Sequence, residues 1–236
     1  MGLFGKQKGI LEKLQKHEYK DAAEKQELLQ QLSEEEPSPM EAIWMLTELD
    51  SKMREFGTIC VLKDRSSRMF TVLLKELKSK EVVGKSYIVP VLAKMGYDVV
   101  FPYIRKNISS SDINERNLVV DIISQFMRVD RFVPILQEAL NDPSEPIRFF
   151  AVTKLCTLIK NKEIFLELLP LLSDESNRIR HKIILSMSVL DIPEIVEPFF
   201  SRLMEEPKEI QDKMIATLGR LAKNPDLKIE EKLMPI

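Results

Sequence analysis

Residues 141–152 read "NDPSEPIRFFAV", and residues 174–183 read "DESNRIRHKI". Asp142, Ser144, Ile147 and Arg148 of the first stretch return as Asp174, Ser176, Ile179 and Arg180 of the second, every offset being 32 residues. Self-similarity at a period of about 20–50 residues is the signature of a stacked-repeat architecture. The stretch is therefore one unit of an array.

Stepping outward by 31 or 32 residues extends the pattern. Ala151 lies in a column with Ile88, Val119, Ile183 and Met214, and Leu155 in one with Leu92, Ile123, Met187 and Leu218. Leu158 lies with Met95, Phe126, Leu190 and Leu221. Within each unit the three columns are spaced i, i+4, i+7, one face of a helix. An earlier set, Phe70/Leu73/Leu77, Phe101/Ile104/Ile108, Val133/Leu136/Leu140, Phe165/Leu168/Leu172 and Val196/Phe199/Leu203, is also helically spaced. Each unit thus reads as a helix, a short polar turn and a second helix. Five units are expected at 65–96, 97–128, 129–160, 161–191 and 192–223. A divergent unit is expected at 38–64, with Pro37 and Pro39 at its start and Trp44, Met45, Phe56 and Cys60 as its core. Capping helices are expected over 1–37 and a partial helix over 224–236.

Turn chemistry agrees with these cuts. Asp112 followed by Glu115 is a variant capping box, and Ser144 and Ser176 are expected to cap the second helices of their units. Pro146 suits a first helical turn. Pro102, Pro134, Pro170 and Pro198 fall inside first helices and predict bends. Ala93, Ser124, Cys156, Ser188 and Gly219 form a column of small residues, which predicts close approach of neighbouring second helices.

"LNDPSEPIRFFAVTKL" (140–155), "LSDESNRIRHKIILSM" (172–187) and the proline-bent first helices resemble the HEAT repeat family, over about residues 65–223. The resemblance implies an all-α, right-handed α-solenoid of about five to six repeats. It also implies a ladder between stacked repeats, built from the turn Asp and the following Arg. Arg116, Arg148 and Arg180 match the Arg column, and Asp142 and Asp174 the Asp column. Lys85 and Gln211 depart from it, so the ladder should fade at both ends, and Ser110 stands where the preceding Asp would. Independently of the family, a unit that cannot bury both apolar faces alone needs neighbours.

Composition narrows the function. Of 236 residues, 44% are hydrophobic and 31% charged, with a net charge of −2. A general nucleic-acid binder is usually basic, because phosphate neutralisation dominates its affinity. Seven glycines and no Asn-Gly or Asp-Gly pair favour helices. Cys60 and Cys156 sit in apolar helical patterns and are expected to be buried, reduced thiols. With no secretory signal and no apolar run of ~18 residues, a cytoplasmic protein is expected. Gly2 is present, but Lys6 misses the myristoylation pattern. Residues 1–20 carry five lysines against two glutamates. A solvated face is the plain reading, and contact with a membrane surface or an acidic partner the sharper one.

Enzyme readings find little support. Gly84-Lys85-Ser86 resembles the end of a phosphate loop, but Ser79 stands where that loop needs glycine. His17-Glu18 resembles the His-Glu pairs of helical-repeat di-iron hydroxylases, yet His17 and His181 are the only histidines. HEAT-like DNA glycosylases have a basic, tryptophan-rich cleft, whereas this chain is slightly acidic with one tryptophan. No catalytic residue, metal site or cofactor is expected.

The resemblance places the second helices on a concave surface. Positions outside the core columns would then face a groove: Ser86, Asn117, Phe149, His181 and Asp212; Pro90, Asp121, Thr153, Leu185 and Ala216; Lys94, Gln125, Thr157, Val189 and Arg220. Phe149, Leu185 and Val189 are apolar where water is expected, the anatomy of a binding patch. With Thr153 and His181 they form the expected partner site, with Asn117, Asp121 and Gln125 as its polar rim. The expectation is a non-enzymatic scaffold or adaptor that binds a protein partner, as a peptide or helix. A regulatory module of a larger signalling or catalytic protein is the alternative, because Ile229 and Leu233 start a further amphipathic helix.

Overall fold

Helices account for all the regular structure among the described residues, which in this computed structural model are 3–34, 38–47, 51–79 and 82–224. The expected helix of Ile229 and Leu233, Pro37, and nearly all of the segment 224–236 fall outside them. The chain divides into two compact units, 1–106 with 121–126, and 107–120 with 127–236.

In the first unit lie α1 (Leu3–Gln15), α2 (Ala22–Glu34), α3 (Pro39–Thr47), α4 (Ser51–Lys63), α5 (Ser67–Ser79), α6 (Val82–Lys94) and most of α7 (Tyr97–Asn107). Ser38 begins α3 with a full capping box: Glu41 N–H reaches Ser38 Oγ at 3.4 Å, and Ser38 N–H reaches Glu41 Oε2 at 2.7 Å. The antiparallel pair α3 and α4 buries Ala42, Ile43, Met45, Leu46, Met53, Cys60 and Val61. Gly57 lets the two helices touch. A Cβ there would lie 2.4 Å from Leu46 N and 2.7 Å from Ala42 O. Trp44 and Phe56, expected in this core, are only half-buried. The buried stripe of α4 runs 53, 57, 60, 61, and Phe56 lies at its edge, about 40° beyond Cys60 and about 100° round the helix from Gly57.

Beyond α8 (Ile113–Ser124), the second unit contains α9 (Val133–Ala139), α10 (Glu145–Leu155), α11 (Lys162–Leu168), α12 (Asn177–Met187), α13 (Val196–Arg202) and α14 (Lys208–Leu221). The 151 and 155 columns are buried throughout: Ile88, Val119, Ala151, Ile183 and Met214, then Leu92, Ile123, Leu155, Met187 and Leu218. In the third column Phe126, Leu158 and Leu190 are only half-buried. Their helices end at Ser124, Leu155 and Met187, short of these residues, although Met95, one residue past the end of α6, is buried. In α14, which runs on to Leu221, that residue is buried.

The prolines act differently from the expected bends. Pro134 enters α9 at its first turn after a 3₁₀ turn, Asp130–Phe132, and Pro170 lies in a 3₁₀ segment, Leu169–Ser173. Pro198 lies in the first turn of α13, where a missing N–H costs no helical bond. Of the four, Pro102 alone lies in a helix interior. The small-residue column also falls short of its expectation. Ala93 and Cys156 are buried, but Ser124 and Gly219 are exposed, and a Cβ at Gly219 would meet nothing within 4 Å. Burial pushes the thiols of Cys60 and Cys156 up, with nearby lysines opposing, as suits inert core thiols.

Candidate functional site

Three arginines, each in the first turns of a second helix, build one motif three times. Arg116 Nε donates to Asp142 Oδ2 at 2.7 Å, and Arg148 Nε to Asp174 Oδ2 at 3.0 Å. Arg180 Nε donates to Glu206 Oε1 at 2.7 Å. Each acceptor lies 26 residues ahead. Each arginine also reaches back six residues through Nη1 to a turn carbonyl: Ser110 O at 2.8 Å, Asp142 O at 3.0 Å and Asp174 O at 2.9 Å. Asp142 Oδ1 and Asp174 Oδ1 further accept the N–H groups of Ser144 and Ser176, at 2.7 and 2.8 Å. A guanidinium has five donors in a rigid fork, so one side chain holds its own turn and the next one together. Asp174, by its hydrogen bond, holds the Arg148 pKa above its ordinary value against the pull of burial.

Glu206 is the rung that sequence reasoning missed. The signal is the constant offset of 26, which leads from Arg180 to 206, where a glutamate stands in place of the aspartates of the other two rungs. Its side chain is fully buried. It accepts from Arg180, from Arg202 Nη2 at 3.1 Å, and pairs with His181 Nε2 at 2.9 Å. Burial pushes this carboxyl up, but Arg180 and Arg202, with His181, outweigh it and hold it below the usual carboxylate range. At the C-terminal side the ladder does not simply fade: Gln211 Nε2 keeps the backward bond, to Glu206 O at 2.8 Å. At the other end the side chain of Lys85 lies outside the described residues. Ser110 in place of an aspartate leaves the Arg116 backward bond intact, because that bond needs only a carbonyl.

The expected partner residues meet different fates. Phe149 is half-buried, and the Arg178 guanidinium covers its ring at 3.6 Å from the centroid. Arg178 is in turn 3.8 Å from Glu145 Oε2. Phe149 is therefore a stacking platform and not an open apolar position, because Glu145, one turn earlier on α10, steers the cation across it. His181 is half-buried and engaged with Glu206. Thr153 is half-buried, with Oγ1 enclosed and without a hydrogen-bond partner. Leu185 is 45% exposed and Val189 77%. Asn117, Asp121 and Gln125 are exposed. Asp121 and Gln125 belong to the first unit and the other six to the second.

Residues 132–161 match the family model of the HEAT repeat. This chain carries a HEAT repeat. It spans α9, α10 and the turn between them, with Asp142, Arg148, Phe149 and Thr153 inside it. No curated protein matches the chain. HEAT repeats form helical scaffolds that generally mediate protein interactions. Among the described residues no helix is long and apolar enough to cross a membrane.

Proposed function

We propose that the chain is a right-handed α-solenoid of about five to six HEAT-like repeats, acting as a non-enzymatic scaffold that docks a partner helix or peptide on its second helices. The observation that carries this reading is on α12. Its inner face is fixed by buried Ile179, Ile183, Ile184 and Met187 and by the Arg180 rung, while Leu185, with Val189 just past its end, offers apolar surface to water. Rigid apolar side chains on a braced helix lose little entropy on binding, which favours their use as anchors. His181, on the same helix and with one ring nitrogen committed to Glu206, supplies a fixed polar point.

The test is the double substitution Leu185→Ser with Val189→Ser. Both side chains are exposed, so stability should stay within about 0.5 kcal/mol of the parent. Crosslinks mapped between α12 and a captured partner should disappear. Retention of those crosslinks at parental strength sinks the reading.

A further inference from the structure

The turn between α7 and α8 carries three consecutive serines, Ser109, Ser110 and Ser111, followed by Asp112. Their hydroxyls are used differently. Ser110 is half-buried, and its Oγ accepts the Asp112 N–H at 3.2 Å. Ser111 is exposed. Ser109 is exposed and donates its hydroxyl to the Glu138 carboxylate on α9, tying this turn to the first helix of the next repeat. Ser109 is also the one serine of the three with a carboxylate three residues later: Asp112 follows Ser109 at that spacing, Ile113 follows Ser110, and Asn114 follows Ser111. Asp112 is itself exposed and held in place by accepting Asn114 N–H at 2.8 Å.

We propose that Ser109 is a phosphorylation site for an acidophilic serine kinase, whose basic substrate surface reads a carboxylate three residues after the acceptor, and that the phosphate releases the tie to α9. In the transfer, Ser109 Oγ bonds to the γ-phosphorus of ATP. The bond from that phosphorus to the bridging oxygen breaks, ADP leaves, and the hydroxyl proton passes to the kinase's base. The product has no hydroxyl hydrogen to give Glu138. It carries about −1.5 to −2 charge opposite that carboxylate, and like charges side by side disrupt a contact. Arg116 lies in the same cleft but is committed at both ends, to Asp142 and to the Ser110 carbonyl, with its side chain 10% exposed. Arg116 is therefore not free to turn to the new charge, which sits against the Glu138 carboxylate.

Treating the full chain with Mg-ATP and a kinase of the casein kinase class should phosphorylate Ser109, located by peptide mass spectrometry, whatever is added at Ser33, Ser38 or Thr47, which also carry a carboxylate three residues later. Ser109→Ala should lack that phosphate and, losing the same hydrogen bond without gaining charge, should lower Tm by less than the phosphate does. Phosphorylation should lower Tm by about 2–4 °C, the shift a contact worth about 1 kcal/mol gives in a chain of this size. In Glu138→Gln the same phosphate should lower Tm by less than half as much. No incorporation at Ser109, incorporation confined to Ser110 or Ser111, or an equal Tm drop in the parent and Glu138→Gln would each overturn the proposal.

Discussion

Two glycines in helices make opposite predictions. At Gly57 an added Cβ falls 2.4 Å from Leu46 N and 2.7 Å from Ala42 O, both backbone atoms that no rotamer change moves. Alanine would contribute about 1 kcal/mol of helix propensity. Overpacking a contact of this kind costs about 1–3 kcal/mol and sometimes more. Because α3 and α4 would have to separate as whole helices, the cost belongs at the upper end. Gly57→Ala should therefore destabilise the first unit by about 2 kcal/mol, read from the urea midpoint of fluorescence from Trp44, the only tryptophan. Gly219→Ala meets open space and should be neutral or stabilising by up to about 1 kcal/mol. A parental midpoint for Gly57→Ala would mean that the helices do not touch at this residue.

At the level of the helix, capping separates two serines that look alike in sequence. Ser176 Oγ accepts Ile179 N–H at 3.4 Å, whereas the Ser144 side chain makes no cap bond to α10. Ser176→Ala should cost about 1 kcal/mol, and Ser144→Ala less than about 0.5; equal losses in thermal melts would contradict this assignment. Two core columns were legible, because the positions of Ala151 and Leu155 recur every 31 or 32 residues and every member is buried. The stopping points of helices were not, since a tightening into 3₁₀ geometry after Leu155 leaves no apolar mark; Leu158, in that turn, is only half-buried. Nor was the fate of Phe149. Its sequence says apolar, and only the position of Arg178, 29 residues later, covers it. Leu185 and Val189 read as exposed apolar positions, and they are exposed. Gly57 was missed because close approach is a property of two helices, while propensity belongs to one.

Across the second unit as a whole, the arginine ladder makes stability depend on acid through Glu206. Its carboxyl is held below the usual range in the folded chain. A carboxyl of that kind adds stability above its unfolded pKa, and the contribution is lost as pH falls through the lower, folded value. At neutral pH, Glu206→Gln leaves Arg180 without its carboxylate, while Arg202 keeps Glu205. Removing one partner of a buried ion pair costs about 3–5 kcal/mol, a large share of the roughly 5–15 kcal/mol that holds a domain folded. In acid the parent protonates Glu206 and comes to resemble the glutamine variant in charge. The gap between the two proteins should therefore be widest near neutrality and close as pH drops below the ordinary carboxylate range. Amide exchange in α12 and α14 measures it directly, since these helices carry the rung's arginine and its Gln211 continuation. Trp44 belongs to the first unit, so its fluorescence serves as a control for acid effects unrelated to the ladder. Exchange free energies of the two proteins that stay parallel from neutrality into acid would show that Glu206 does not couple the ladder to pH.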